Sequence, residues 1–185
     1  MFARYSLVIQ PSPDVVLEVK AMKEHLSSKI GWYHSKNSMA HLTINEFEAP
    51  VNESDKIAHH LHSIASYLSS ETVCFNHFDT FPNGAFFLAP DATSKLFLKD
   101  ILRQVHEEFR YPTVLKNNEP HISIGRRLQE EQLQIAHALF DSPSLSFLCD
   151  RIALRIFNTS RKQFDIVSEF VFQGKTKGGT PLTLF

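Results

Sequence analysis

Two short stretches of this chain pair an imidazole with a hydroxyl: His41-Leu42-Thr43-Ile44 and His121-Ile122-Ser123-Ile124. In a β-strand, residues two apart project from one face, so His41 lies beside Thr43 and His121 beside Ser123. Leu42, Ile44, Ile122 and Ile124 then turn the other way, into a core. A neutral imidazole can take a proton from an attacking water or hydroxyl, and a second, protonated one can give a proton to a departing oxygen. Histidine fills both roles near neutrality because its unperturbed pKa is about 6.5. Hydroxyls beside the rings can donate to non-bridging phosphate oxygens as charge builds on them. Two such pairs facing each other across a groove suit phosphodiester chemistry without a metal, the rings flanking the phosphorus because attack and departure are roughly in line.

Positioning these pairs requires strands, and the hydrophobic pattern supplies them. Residues 5–10, 40–47, 72–81, 85–90, 121–125, 145–157 and 163–173 read as strands, and a loop containing Pro112, Asn117, Asn118 and Pro120 precedes the strand at 121–125. A helix is expected after Ser12-Pro13-Asp14, with Ser12 as cap, Val15, Val19, Met22, Leu26 and Ile30 as its apolar stripe and Gly31 as its end. A second carries Ile57, Leu61, Ile64 and Leu68. A third, capped by Asp91, carries Leu98, Ile101, Leu102, Val105 and Phe109, and a weaker fourth spans 129–140. Pro82-Asn83-Gly84 is a turn signal between two of the strands.

The order of elements repeats. Strand, helix, loop and His-strand occur once in each half, with His41 following Ile9 by 32 residues and His121 following Leu88 by 33. The expected fold class is α+β: a single bilobal domain over 1–185, duplicated about a pseudo-twofold axis. The approximate repeat units are 5–81 and 85–157, with a last strand at 163–173. Each lobe is a mainly antiparallel sheet with helices on its outer face, and the active site lies in the groove between lobes.

The 185 residues include 19 Lys and Arg against 20 Asp and Glu, a formal net charge of −1, with 43% hydrophobic residues and 16 Phe. That composition is globular rather than disordered, and it lacks the basic excess that binding to long duplex nucleic acid demands. No apolar run approaches the roughly 20 residues of a membrane span, and the start MFARYSLVIQ resembles no secretory leader. Cys74 and Cys149 form no CxxC pair and read as reduced core thiols. The expectation is therefore a cytoplasmic monomer that meets neither membrane nor duplex.

The paired HLTI and HISI motifs resemble those of the two-histidine (2H) phosphoesterase superfamily, in its branch of 2′,5′ RNA ligase-like proteins and RNA 2′,3′-cyclic phosphodiesterases. That family carries His, an apolar residue, Thr or Ser, and an apolar residue once per lobe, and both copies are intact here. PHISIGR is similar to the family's second motif, with Arg126 five residues after the His; FPNGAFFLAP and LRIFNTSRKQFDIVSEFVF resemble its two hairpins. The second motif has Ser where Thr is commoner, which keeps the hydroxyl donor. The resemblance implies hydrolysis of a 2′,3′-cyclic phosphate, or cleavage or joining of a 2′,5′ linkage, at a nucleotide or RNA terminus and with no cofactor. It implies His41 as the acid that protonates the leaving ribose oxygen and His121 as the base that activates water. Thr43, Ser123 and Arg126 would hold the substrate.

Plainer readings compete with these. A zinc site would need more ligands than the two His strands offer, since Glu46 and Glu119 are the nearest carboxylates and no Cys is close. His59 and His62 fall opposite the buried stripe of the second helix and read as solvated. Trp32, Tyr33 and Phe81 suit either an aromatic wall for a base or plain packing. Arg161-Lys162 and Lys175-Lys177 read as solvated cations. The alternative function is a non-catalytic module binding a phosphorylated ligand in the same groove, though binding alone would favour Arg or Lys over two titratable rings. A metallohydrolase ranks third.

Overall fold

The computed structural model describes residues 1–176. The order is β1 (Phe2–Ile9), α1 (Pro13–Ile30), β2 (Leu42–Pro50), a single 3₁₀ turn (Val51–Glu53), α2 (Ser54–Tyr67), β3 (Glu71–Phe81), β4 (Ala85–Pro90), α3 (Ala92–Glu108), β5 (Thr113–Lys116), β6 (Ile122–Gly125), α4 (Glu130–Leu139), β7 (Leu145–Cys149), β8 (Arg151–Asn158) and β9 (Gln163–Val171). Two antiparallel sheets result, in the orders β5-β2-β1-β8-β9 and β6-β4-β3-β7. The class is α+β with two lobes. Aligned on their His strands, β2-β1-β8-β9 and β6-β4-β3-β7 correspond place for place. β3 belongs by sequence to the first half yet pairs with β4, and β8 follows β7 yet returns to pair with β1.

A single hydrophobic core runs through both lobes. Leu7, Leu42, Ile44 and Phe47 from the first sheet meet Phe75, Phe86, Leu88 and Ile122 from the second, together with Val19, Leu61 and Leu98 from the helices. α2 packs on β8 and β9, α3 on β3 and β4, and α1 approaches β6, β7 and α4. The opposite sheet faces stay out of this core. On β4 they carry Ala85, Phe87 and Ala89, a small separate cluster with Phe81.

Three expectations need correcting. Ser12 stands at the start of α1, but its side chain makes no capping hydrogen bond; Pro13 at the first helical position begins the helix instead. Residues 113–116, expected in a loop, form the edge strand β5 on β2; all four are exposed, so no alternating pattern marks them. The run 145–157 breaks at Asp150 into β7 and β8, which lie in different sheets. Asp150 grips Arg151 there. Asp91 does cap α3, accepting from the Ser94 N–H at 2.7 Å. Cys74 and Cys149 are free thiols, half-buried and buried respectively. Among the described residues no helix is long and apolar enough to cross a membrane. Lys177 and the rest of the C-terminal tail lie outside the described residues.

Candidate active site

Both His strands carry the same three local devices. The first is the tether: His41 Nδ1 donates to the Met39 carbonyl at 2.6 Å, and His121 Nδ1 to the Glu119 carbonyl at 2.7 Å. Each ring is thereby set as the Nδ1–H tautomer, leaving Nε2 as the nitrogen free to exchange protons. The second is the hydroxyl two residues on, half-buried on Thr43 and buried on Ser123. The third is a β-bulge at the fourth motif residue. β2 gains Ile44 against β1, and β6 gains Ile124 against β4. An extra residue shifts the phase of side-chain alternation, so Thr43 pairs with Val8 on the same face as the Glu46–Ser6 pair. The bulge carbonyls are both partnered: Ile44 O accepts from the Asn117 N–H at 2.9 Å and lies 3.2 Å from His106 Nε2, while Ile124 O accepts from Ser35 Oγ at 3.2 Å.

Asn117 joins the two motifs. Its Nδ2 donates to the Thr43 carbonyl at 2.8 Å and to the Glu119 carbonyl at 3.1 Å, the latter being the oxygen that holds His121. The Glu119 carboxylate pairs with Lys95 and with Lys99 at 2.7 Å, both on α3. Burial alone would raise that carboxyl, but the two lysines prevail and hold it below the usual range. On the second sheet His121 sits edge-on to Phe81 and against Phe87, with ring centroids at 5.1 and 5.0 Å. Ser123 pairs with Phe87 and so shares its face.

Arg126, at the end of β6, links the pieces electrostatically. Its charge bears on His41, His121, Lys23 and Arg155 alike. The Arg126 N–H donates to the His34 carbonyl at 3.1 Å, fastening the loop after α1 onto β6. That loop is tied down a second time by Lys23, whose buried ammonium donates to Ser35 O at 3.3 Å, Ser38 O at 2.7 Å and Ser38 Oγ at 3.0 Å. Burial, helped by Arg126, brings the Lys23 ammonium down to about 7. Tyr33 is core, its hydroxyl donating to the Lys23 carbonyl at 3.0 Å, so only Trp32 of that pair remains exposed, edge-on to His34.

Both rings are held neutral. Burial lowers His41 well below its ordinary 6.5, and Arg155, Lys23 and Arg126 push the same way against the Met39 carbonyl. Burial lowers His121 as well, with Arg126 adding and Glu119 opposing.

Of the five residues singled out in the sequence, Arg126 bears electrostatically on both His41 and His121, Thr43 pairs with Val8 on β1, and Ser123 pairs with Phe87 on β4. The sequence reading missed Arg155, Lys23 and Asn117. Arg155 was visible as a cation in the middle of an apolar strand run, and Lys23 as a lysine in step with the stripe Val19-Leu26 on α1. Asn117 left no such signal. His59 and His62 are exposed, as their helix position implied. Among the described residues no three His, Cys, Asp or Glu side chains gather as a metal-binding set.

Comparison with known proteins bears on the family and the fold. The family model of the 2′-5′ RNA ligase superfamily matches residues 11–161. No curated protein matches the chain. Among solved structures, E. coli LigT complexed with 3′-AMP superposes with a TM-score of 0.65 at 13% identity, covering 93% of this chain and 99% of that one. TT0787 of Thermus thermophilus gives 0.60 at 17% identity, covering 94% and 100%. Kluyveromyces marxianus Usb1 gives 0.53 at 12%, covering 92% and 98%. At these identities the likeness speaks for the fold, while the family-model match spans most of the chain: the protein belongs to the 2′-5′ RNA ligase superfamily, within the 2H phosphoesterases.

Proposed function

We propose that the protein is a metal-independent phosphodiesterase acting on a 2′,3′-cyclic phosphate or 2′,5′ linkage at a nucleotide or RNA terminus. The observation that carries this reading is the identical construction of the two motif strands: tethered Nδ1, hydroxyl at the second following residue, bulge at the third. A pair of Nε2 atoms prepared in the same way suits a reaction that needs one proton acceptor and one proton donor. In hydrolysis of a cyclic phosphate, one Nε2 takes the proton of the attacking water as its oxygen bonds to phosphorus. The other gives a proton to the ribose oxygen as its bond to phosphorus breaks. Thr43 and Ser123 donate to the non-bridging oxygens, and Arg126 pairs with phosphate or stacks on a base at the rim. In the division of labour implied by the family resemblance, His41 is the acid and His121 the base. The chain serves as one two-lobed domain, its sheets supplying one ring each. LigT has been solved with 3′-AMP, ATP and NADP⁺, so a relative of this fold accommodates nucleotides.

The test is a panel of 2′,3′-cyclic mononucleotides and capped oligonucleotides, with the phosphate position in the product read by mass and chromatography. Turnover is expected without added metal and in excess chelator. Affinity for the panel with no turnover from pH 5 to 8 would favour the binding-module reading instead.

A pH profile follows from the lowered imidazoles. In the free enzyme both rings titrate below about 6.5. The ring that must carry a proton therefore loses it as pH rises toward neutrality, and the ring that must be neutral gains one only at still lower pH. kcat/KM is expected to peak below about pH 6.5 and to fall through neutral pH. The substrate's negative charge stabilises imidazolium in the complex, so the kcat profile lies to the alkaline side of the kcat/KM profile. A kcat/KM that still climbs above about pH 7.5 contradicts the assignment.

A further inference from the structure

We propose that Arg155, buried on β8, binds the non-bridging oxygens of the scissile phosphate. The inference rests on the phosphodiesterase reading and names a contact which neither motif contains. Arg155 lies on β8 opposite Ser6, and Ser6 lies opposite Glu46; Ala153 lies opposite Val8, and Val8 opposite Thr43. These two rows run across β8, β1 and β2 on the face turned away from the core. Arg155 is therefore one row and two strands from Thr43, with Ser6, Val8 and Ala153 between them, and neither Val8 nor Ala153 belongs to the hydrophobic core cluster. A long guanidinium can reach over two such small side chains.

Its surroundings hold it in place without neutralising it. The residue is 5% exposed. Nη2 donates to Ser6 Oγ at 2.9 Å, and the guanidinium carbon lies 5.2 Å from the centroid of Phe164. The Nε–H has no partner among the described residues. Glu46 attracts it, but that carboxylate takes its hydrogen bonds from Arg4, with Nε at 3.0 Å. A buried guanidinium with an unused donor and no carboxylate of its own is costly, and an arriving anion offsets that cost. Burial lowers this guanidinium to about 10, which leaves it charged at neutral pH.

Of the cations whose charge bears on His41, Arg155 is the foremost, so an anion bound at that ring is drawn toward it as well. The competing cations are otherwise occupied: Lys23 spends its donors on Ser35 and Ser38, and Arg126 is exposed at the rim. The planar fork of an arginine also matches two phosphate oxygens as a lysine does not.

The experiment compares wild type, Arg155→Lys and Arg155→Met on a 2′,3′-cyclic mononucleotide and on a dinucleotide with the same cyclic end. Thermal midpoints check folding. Arg155→Met is expected to lose ~10²-fold in kcat/KM on both substrates, and Arg155→Lys to recover part of that loss. NMR titration of the free protein is expected to show the His41 ring moving to higher pKa in Arg155→Met, as loss of the neighbouring positive charge requires. Wild-type kcat/KM in Arg155→Met overturns the proposal. So does a loss confined to the dinucleotide, which would place the contact on an upstream phosphate. If Arg155→Met does not fold, Arg155→Lys decides alone, and an unimpaired lysine variant overturns it. If wild type turns over neither substrate, the phosphodiesterase reading fails separately. Affinity for inorganic phosphate then judges Arg155, with equal binding by wild type and Arg155→Met counting against it.

Discussion

His41→Ala and His121→Ala are each expected to bring turnover of a cyclic phosphate down by about 10²–10⁴-fold while the protein remains folded. Neither ring belongs to the hydrophobic core, and each gives up only one hydrogen bond to a carbonyl, Met39 O or Glu119 O. The Glu119 oxygen keeps its donor from Asn117, so the loss at that position is partly covered. Because both rings titrate below the ordinary histidine value, removing them also removes a proton-linked cost of folding in mild acid. Their neutral state contributes stability above about pH 6.5, which is lost as pH falls toward their folded pKa values. The alanine variants should therefore lose less of their thermal midpoint than wild type between pH 7 and pH 5. The double variant is expected to be scarcely worse than either single one, since the two rings act as a unit. Cyclic nucleotide hydrolysis surviving in the double variant would sink the catalytic assignment.

Phe47→Ala has the opposite signature. Phe47 is fully buried on β2, stacked on Tyr5 at 5.3 Å and edge-on to Phe109 at 4.9 Å, with Tyr111 at 5.6 Å. It bolts the His41 strand to the end of α3 and to the segment leading into β5. Truncating a buried Phe costs about 3–5 kcal/mol, through lost transfer energy and the cavity left behind. For a chain of this size that lowers the thermal midpoint by ~6–20 °C. kcat measured well below the new midpoint is expected to stay near wild type, because Phe47 faces the core while His41 and Thr43 face away from it. A midpoint within about 2 °C of wild type would mean that the aromatic cluster does not anchor the strand.

The legible part of the fold was the part written in periodicity. The four helices, the hairpin around Pro82-Asn83-Gly84 and both His strands follow from apolar spacing and turn residues. Gly84 even has a mechanical reason: its φ is +77°, and a Cβ there would meet the Leu128 carbonyl oxygen at 2.4 Å. β5 was hidden because an edge strand with four exposed residues has no buried face to alternate. At Asp150 the apolar alternation changes phase, from Leu145, Phe147 and Cys149 in β7 to Ile152, Leu154 and Ile156 in β8. The run of apolar residues on both sides masks this one-residue shift, and the sheet assignment makes it plain. The phase shift within β2 was hidden for a similar reason, since a bulge is a property of a pair of strands and leaves no mark on one of them. In the site, the motif residues were legible because their chemistry recurs at a fixed spacing. Asn117 was not, because one amide bridging two carbonyls across the fold has no local pattern at all.

The exchange of β3 and β8 between sheets makes the two halves structural hostages. A cut at the 82–84 turn would strand β3 beside no neighbour in the first fragment and deprive β1 of β8. Neither piece would close its own sheet, and the two would have to find each other before either imidazole had a scaffold. With one histidine-bearing strand in each sheet, neither fragment alone would hold the pair of imidazoles together.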